Sequence, residues 1–196
     1  TCALPILTKT GLPINGEPHL EPWLNFLHRM KNATKTVRIG LVGKYVELPD
    51  AYKSINESLF QAATYNDRKL DLQYIHSEKL NSGNVDAMLS SLDGVLIAPG
   101  FGQRGIEGKF IALKYAREHD IPTFGVCLGM QCMVIEYARD VLGYTDANST
   151  EMDVTTKHNV IDLMEEQKSI TNMGGTMRLG AYDCILAEDS IAEIGR

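Results

Sequence analysis

At 196 residues, 44% of them hydrophobic and 22% charged, the chain has the balance of a soluble globule of one domain, or one domain plus an appendage. Its net charge of −6, with no basic stripe, argues against nucleic-acid binding, and no apolar run reaches the roughly 18 residues needed to span a bilayer. The N-terminus lacks a basic stretch before an apolar core, and four irregularly spaced cysteines (Cys2, Cys127, Cys132, Cys184) form no CxxC pair and no His/Cys cluster, so a cytoplasmic protein with reduced thiols and no metal is expected.

Residues 1–18 are rich in Pro, Gly and Thr, lack a period and read as linker. Leu20, Trp23, Leu24, Leu27 and Met30 then fall at helical spacing, with Pro22 tolerable in a first turn. That stripe is expected to pack on the domain that follows, beyond a polar break at Lys31–Thr36. Val37–Val42 reads as a strand, and Asp50 as the cap of a helix carrying Tyr52, Ile55, Leu59 and Ala62. Leu70–Ile75 is a second strand and Val85–Leu92 a short helix. Gly94–Ala98 is a buried-type strand running into the glycine-rich loop Pro99–Gly105, and Ile106–Glu118 is helical. A strand ending at Gly125 and a helix to about Leu142 come next. Strands alternating with helices predict an α/β fold, an open and mostly parallel doubly wound sheet. After Gly143 the pattern weakens: a polar turn at Asn148–Glu151, a strand near Asn159–Met164, a loop over Glu165–Met173, a glycine-bounded stretch Gly174–Gly180 and a final strand Tyr182–Leu186.

The stretch Gly125-Val-Cys-Leu-Gly129 carries the chemistry. A cysteine at the apex of a strand–turn–helix, between two glycines, has the construction of a nucleophile elbow. The helix that follows points its N-terminus at the thiol and favours negative charge there. Cys132, inside the helix, and Cys184, in a strand, are expected to be sluggish by comparison. The bland alternative is a small cysteine closing a strand. Ligands in open parallel sheets collect beyond the carboxyl ends of strands, so the Pro99–Gly105 loop is expected to face the elbow. Its backbone N–H groups, with that of Leu128, would then meet an oxyanion; otherwise it is a plain strand-to-helix turn.

Gly125 to Gln131 resembles the elbow of class I (triad) glutamine amidotransferases. Within that group Gly43–Lys53, Asp146–Glu151 and Met173–Gly180 resemble the CTP synthase family, and the similarity runs from about Val37 to Leu186. The resemblance implies the fold of class I amidotransferases, a flavodoxin-like doubly wound sheet. It also implies hydrolysis of L-glutamine through a thioester on Cys127, with Gly100 and Leu128 as oxyanion donors. Glutamine would be held by Gly100, Leu128, Gly129, Met130, Gln131 and Glu151, the last a fitting partner for an α-ammonium group. Lys53, Thr176 and Arg178 match positions linked to GTP activation. The ammonia would serve an N-terminal synthase domain of the same polypeptide, which aminates UTP to CTP with ATP and Mg2+, with homo-oligomers forming through that domain. No cofactor is expected within residues 36–196, the amidotransferase domain, and residues 1–35 read as a linker with a short amphipathic helix.

Two departures stand out. The family loop has two glycines before the phenylalanine; here Pro99-Gly100-Phe101 supplies one, and proline cannot donate an N–H. The family's base is a histidine in a C-terminal His-x-Glu, and none follows Cys127. His158, the one later histidine, lacks the glutamate, and His19-Leu20-Glu21 has the spacing but stands in the front linker. The domain is therefore expected to lack its C-terminal part, and the fragment alone to be inactive. The remaining alternatives are another triad amidotransferase, of the GMP or anthranilate synthesis type, or a catalytically silent regulatory domain.

Overall fold

The computed structural model describes residues 3–11, 19–48, 50–164, 181 and 183–190. Four strands, β1 (Lys35–Gly43), β2 (Arg68–His76), β3 (Gly94–Ile97) and β4 (Thr123–Gly125), form a sheet in the order β2-β1-β3-β4, every neighbouring pair parallel. Alternation along the strands assigns the two faces. Val42 and Ile97 pack with Leu89, Phe110, Leu113 and Ile135, from helices α4 (Val85–Leu89), α5 (Ile106–Glu118) and α6 (Leu128–Asp140). Leu41 and Leu96 point the other way, toward Ile55 and Leu59 of α3 (Lys53–Tyr65). Covered on both sides, β3 is buried along its whole length, which is why it reads as a continuous apolar run. This is the doubly wound parallel sheet the sequence predicts. Its strand order reverses direction between β1 and β3, the point at which such sheets open a crevice at their carboxyl edge.

Several local readings change. Ala3–Thr10 forms a helix, α1, where a structureless linker was expected; Thr10 Oγ1 bonds back to Ile6 O at 2.9 Å, and Gly11 at φ 66° stops it. Helix α2 (Glu21–Asn32) forms, but its apolar stripe packs only in part. Phe26 meets Phe60 of α3 edge-on at 6.2 Å, while Trp23 and Leu24 remain more than half exposed. Asp50 does not cap α3: its N-cap is Tyr52, a buried ring whose hydroxyl accepts from Tyr45 N at 3.3 Å. Asn148–Ser149, read as a turn, is a short strand β5 paired with β6 (Asn159–Ile161). Residues 183–186 are irregular rather than a strand. The expected loop over 165–173 and the 174–180 stretch lie outside the described residues.

Candidate active site

The elbow is built by close approach. Gly129, second in α6, passes so near β3 that a Cβ there would lie 2.1 Å from Ile97 O. One on Gly125 would lie 2.5 Å from Met130 N. No other residue type fits either place. Between them Cys127 adopts φ 54°, ψ −112°, a left-handed value that costs a side-chain-bearing residue of order 1–3 kcal/mol. The strain lifts the thiol out: Cys127 is exposed, whereas Cys132, one turn further along, is fully buried, and burial pushes its thiol up to about 11. Cys184 is also exposed, so exposure alone does not single out Cys127. Its place at the N-terminus of a 13-residue helix does.

Because Ile97 pairs with Gly125, the loop leaving β3 stands beside the elbow. A Cβ on Gly100 would lie 3.8 Å from Leu128 Cδ2 and 3.4 Å from Lys44 Cε. The structure therefore brings Gly100, Leu128 and Cys127 together. Gln131, whose N–H bonds Cys127 O at 3.1 Å, Gly129 and Met130 belong to the same first turn. Glu151 is exposed on the turn after β5 and is tied to this edge through its neighbour: Gln103 Nε2 donates to Met152 O, linking that turn to the loop carrying Gly100. Lys53 opens α3, exposed, beyond the carboxyl end of β1. Thr176 and Arg178 lie outside the described residues.

Sequence reasoning missed two lysines. Lys109 is 1% exposed and donates through Nζ to Ala98 O at 2.7 Å; Lys44, 6% exposed, donates to Phe101 O. Burial pushes the Lys109 ammonium below its ordinary range, partly opposed by the thiol of Cys132. The signal was present in the spacing: Lys109 stands three residues from Ile106 and four from Leu113, on the face that packs inward.

No histidine among the described residues reaches the thiol as a base. His158 binds Asp146 at 2.6 Å (Nδ1–Oδ1) and stacks on Tyr144 at 4.5 Å. Tyr144 follows the C-terminus of α6, and Cys127 precedes its N-terminus, so about 20 Å of helix separates them. His76 ends β2, three strands from β4, roughly 14 Å away at the spacing of neighbouring strands. His119 follows the C-terminus of α5, at the opposite edge. His19 and His28 belong to the region of α2, behind α3; His19 lies 3.7 Å from Glu21 with both side chains in solvent. A cleft of about 410 Å³ between α5 and the Asn148–Asp153 turn is lined by Phe110 and Arg139 and does not include Cys127.

The model of the class I glutamine amidotransferases matches residues 47–194. The chain belongs to that family. The amidotransferase is 69% identical over 185 residues to the CTP synthase of Bacteroides fragilis, a match covering 94% of this chain and 35% of that protein. It is 61% identical over 185 residues to the CTP synthase of Porphyromonas gingivalis, covering 94% of this chain and 34% of that one. The chain thus spans about a third of the length of these curated relatives. Among solved structures, the glutaminase domain of Trypanosoma brucei CTPS with bound acivicin is similar at a TM-score of 0.62 and 41% identity, covering 66% of this chain and 51% of that one. At that identity the likeness extends to sequence as well as to the α/β fold.

Proposed function

We propose that this amidotransferase hydrolyses L-glutamine at Cys127 and supplies ammonia to a synthase domain that converts UTP to CTP. The observation that carries the proposal is the strained, exposed Cys127 held beside Gly100 and Leu128 at the carboxyl edge. Identity to CTP synthases across nearly the whole chain supports the choice of acceptor over the GMP or anthranilate type.

Chemically, the Cys127 sulfur adds to the side-chain carbonyl carbon of glutamine. A C–S bond forms and the carbonyl π pair becomes an oxyanion, met by the amides of Gly100 and Leu128. Collapse restores the carbonyl and breaks the C–N bond; the nitrogen takes up a proton and leaves as ammonia. Water then cleaves the thioester, giving glutamate and the free thiol. Gln131, Met130 and Gly129 line the bound side chain, and Glu151 pairs with the α-ammonium group. The proton transfers need a base, and none of the five histidines is placed to serve as one. Lys53, Thr176 and Arg178 are assigned to the response to GTP. Among the described residues no group of three or more His, Cys, Asp or Glu is placed to hold a metal. The Mg2+ and ATP of CTP formation are assigned to the synthase domain, through which the enzyme oligomerises, and no step here runs through them.

Cys127→Ala in the protein at the full length of its relatives tests the reading. Glutamine-dependent CTP formation should vanish while CTP formation from added ammonia persists. Survival of the glutamine-dependent reaction would refute the assignment.

A further inference from the structure

Two ammonium groups lie buried at the carboxyl edge, and neither pairs with a carboxylate among the described residues. Lys44 follows β1 directly and Lys109 lies in the first turn of α5, 6% and 1% exposed. Among the described residues the lysines that pair with carboxylates within 4.0 Å are Lys79 and Lys114, not these two. Removing an ammonium from water costs several kcal/mol unless charge or dipoles replace the hydration. Here the replacement is two backbone carbonyls, Ala98 O for Lys109 and Phe101 O for Lys44, with the Tyr45 ring centroid 5.5 Å from Lys44 Nζ as well. Those carbonyls bracket Pro99-Gly100, the segment whose single glycine must donate where proline cannot. Burial is the main influence that lowers the Lys109 ammonium, with smaller opposing influences from the Cys132 thiol and, beyond Lys44, from that of Cys127. Beneath Pro99-Gly100 thus lie two amines that pair with no carboxylate among the described residues.

We propose that Lys44 and Lys109 are positioning residues of the glutaminase reaction, a clamp that aims the Gly100 amide at the elbow and supplies the counter-charge for the oxyanion formed on Cys127. The inference rests on Cys127 being the nucleophile and adds the residues that shape the oxyanion site. It gives a reason for burying two cations: their carbonyl bonds fix the loop, and their charge, met at rest by carbonyl dipoles and the Tyr45 ring, gains a counter-ion when the oxyanion appears. A lone glycine in the loop raises the need for such anchoring.

The test separates oxyanion formation from thiol reactivity. Iodoacetamide alkylates Cys127 by displacing iodide, so no oxyanion forms. The aldehyde analogue of glutamine adds reversibly, forming a C–S bond and moving the carbonyl pair onto oxygen, and so protects Cys127. Its affinity is read from protection in the full-length protein carrying Lys44→Met or Lys109→Met. Deleting an oxyanion donor costs roughly 10²–10³-fold, so loosening the loop that carries one should weaken protection about tenfold while the iodoacetamide rate changes by less than about threefold. Denaturant midpoints identify any variant that fails to fold, and the other variant then decides. Unchanged aldehyde protection in a folded variant overturns the clamp. So does a fall in the iodoacetamide rate equal to the loss of aldehyde affinity. If the aldehyde fails to protect the unsubstituted protein, the Cys127 reading itself falls and the clamp with it.

Discussion

Gly129 is where the elbow bears on the central strand, and Gly129→Ala tests that contact directly. The added Cβ would lie 2.1 Å from Ile97 O and 2.9 Å from the Ile97 carbonyl carbon. Both are backbone atoms in a buried strand and cannot rotate aside, so the start of α6 must move by roughly 1 Å in a close-packed interior. Overpacking of this kind costs about 1–3 kcal/mol, at the upper end where backbone is struck. Replacing glycine by alanine inside a helix returns up to about 1 kcal/mol. The net loss should be about 2 kcal/mol, a fall in Tm of roughly 4–8 °C for a chain of this size. Urea unfolding measures the loss, and aldehyde protection of Cys127 should weaken with it, since the same shift carries Leu128 away from Gly100. Gly100→Ala is the companion, because its Cβ meets nothing nearer than 3.4 Å; its stability should stay within about 0.5 kcal/mol. Equal stability of Gly129→Ala and the unsubstituted chain, or greater damage from Gly100→Ala, would refute the reasoning.

Two further outcomes are expected. Glu151→Gln should raise the KM for glutamine in the full-length enzyme, by roughly 1.5–3 kcal/mol of lost charged hydrogen bonding, and spare ammonia-dependent CTP formation; equal loss of both would make Glu151 structural. The Asp146 carboxyl is held below its ordinary 3.8, first by the His158 hydrogen bond. A carboxylate depressed on folding stabilises the fold above its unfolded value and loses that contribution as pH falls through the folded one. Urea titrations of His158→Ala should therefore show a deficit against the unsubstituted protein that shrinks as pH drops below 3.8, and a deficit independent of pH would contradict the pairing.

The sheet was legible because its signals are local. Val37–Val42 and Gly94–Ala98 are apolar runs set between helical periods, and β1 and β3 fall over them. The elbow was legible for the same reason, since the glycines, the cysteine and the helix start are contiguous. What escaped depends on contacts across the fold. Asp50 has the chemistry of a cap, but the buried Tyr52 takes that position, its ring packed with Leu41, Leu96 and Ala98. The stripe of α2 promised full packing, yet only the Phe26 side meets α3. Asn148–Ser149 looks like a turn until β6 pairs with it. Lys109 shows the limit most clearly: its helical position was readable, but the carbonyl it binds, Ala98 O, comes from the end of another element.

The claim on which everything rests is that Cys127 is the nucleophile, and its most direct test is covalent. The full-length protein is treated with a chloroketone analogue of glutamine, and the modified peptide is identified by mass spectrometry, with and without glutamine present. The label should appear on Cys127 and be suppressed by glutamine, while buried Cys132 and exposed Cys184 stay unmodified over the same time. Labelling of Cys132 or Cys184 ahead of Cys127, or labelling of Cys127 indifferent to glutamine, would contradict the account.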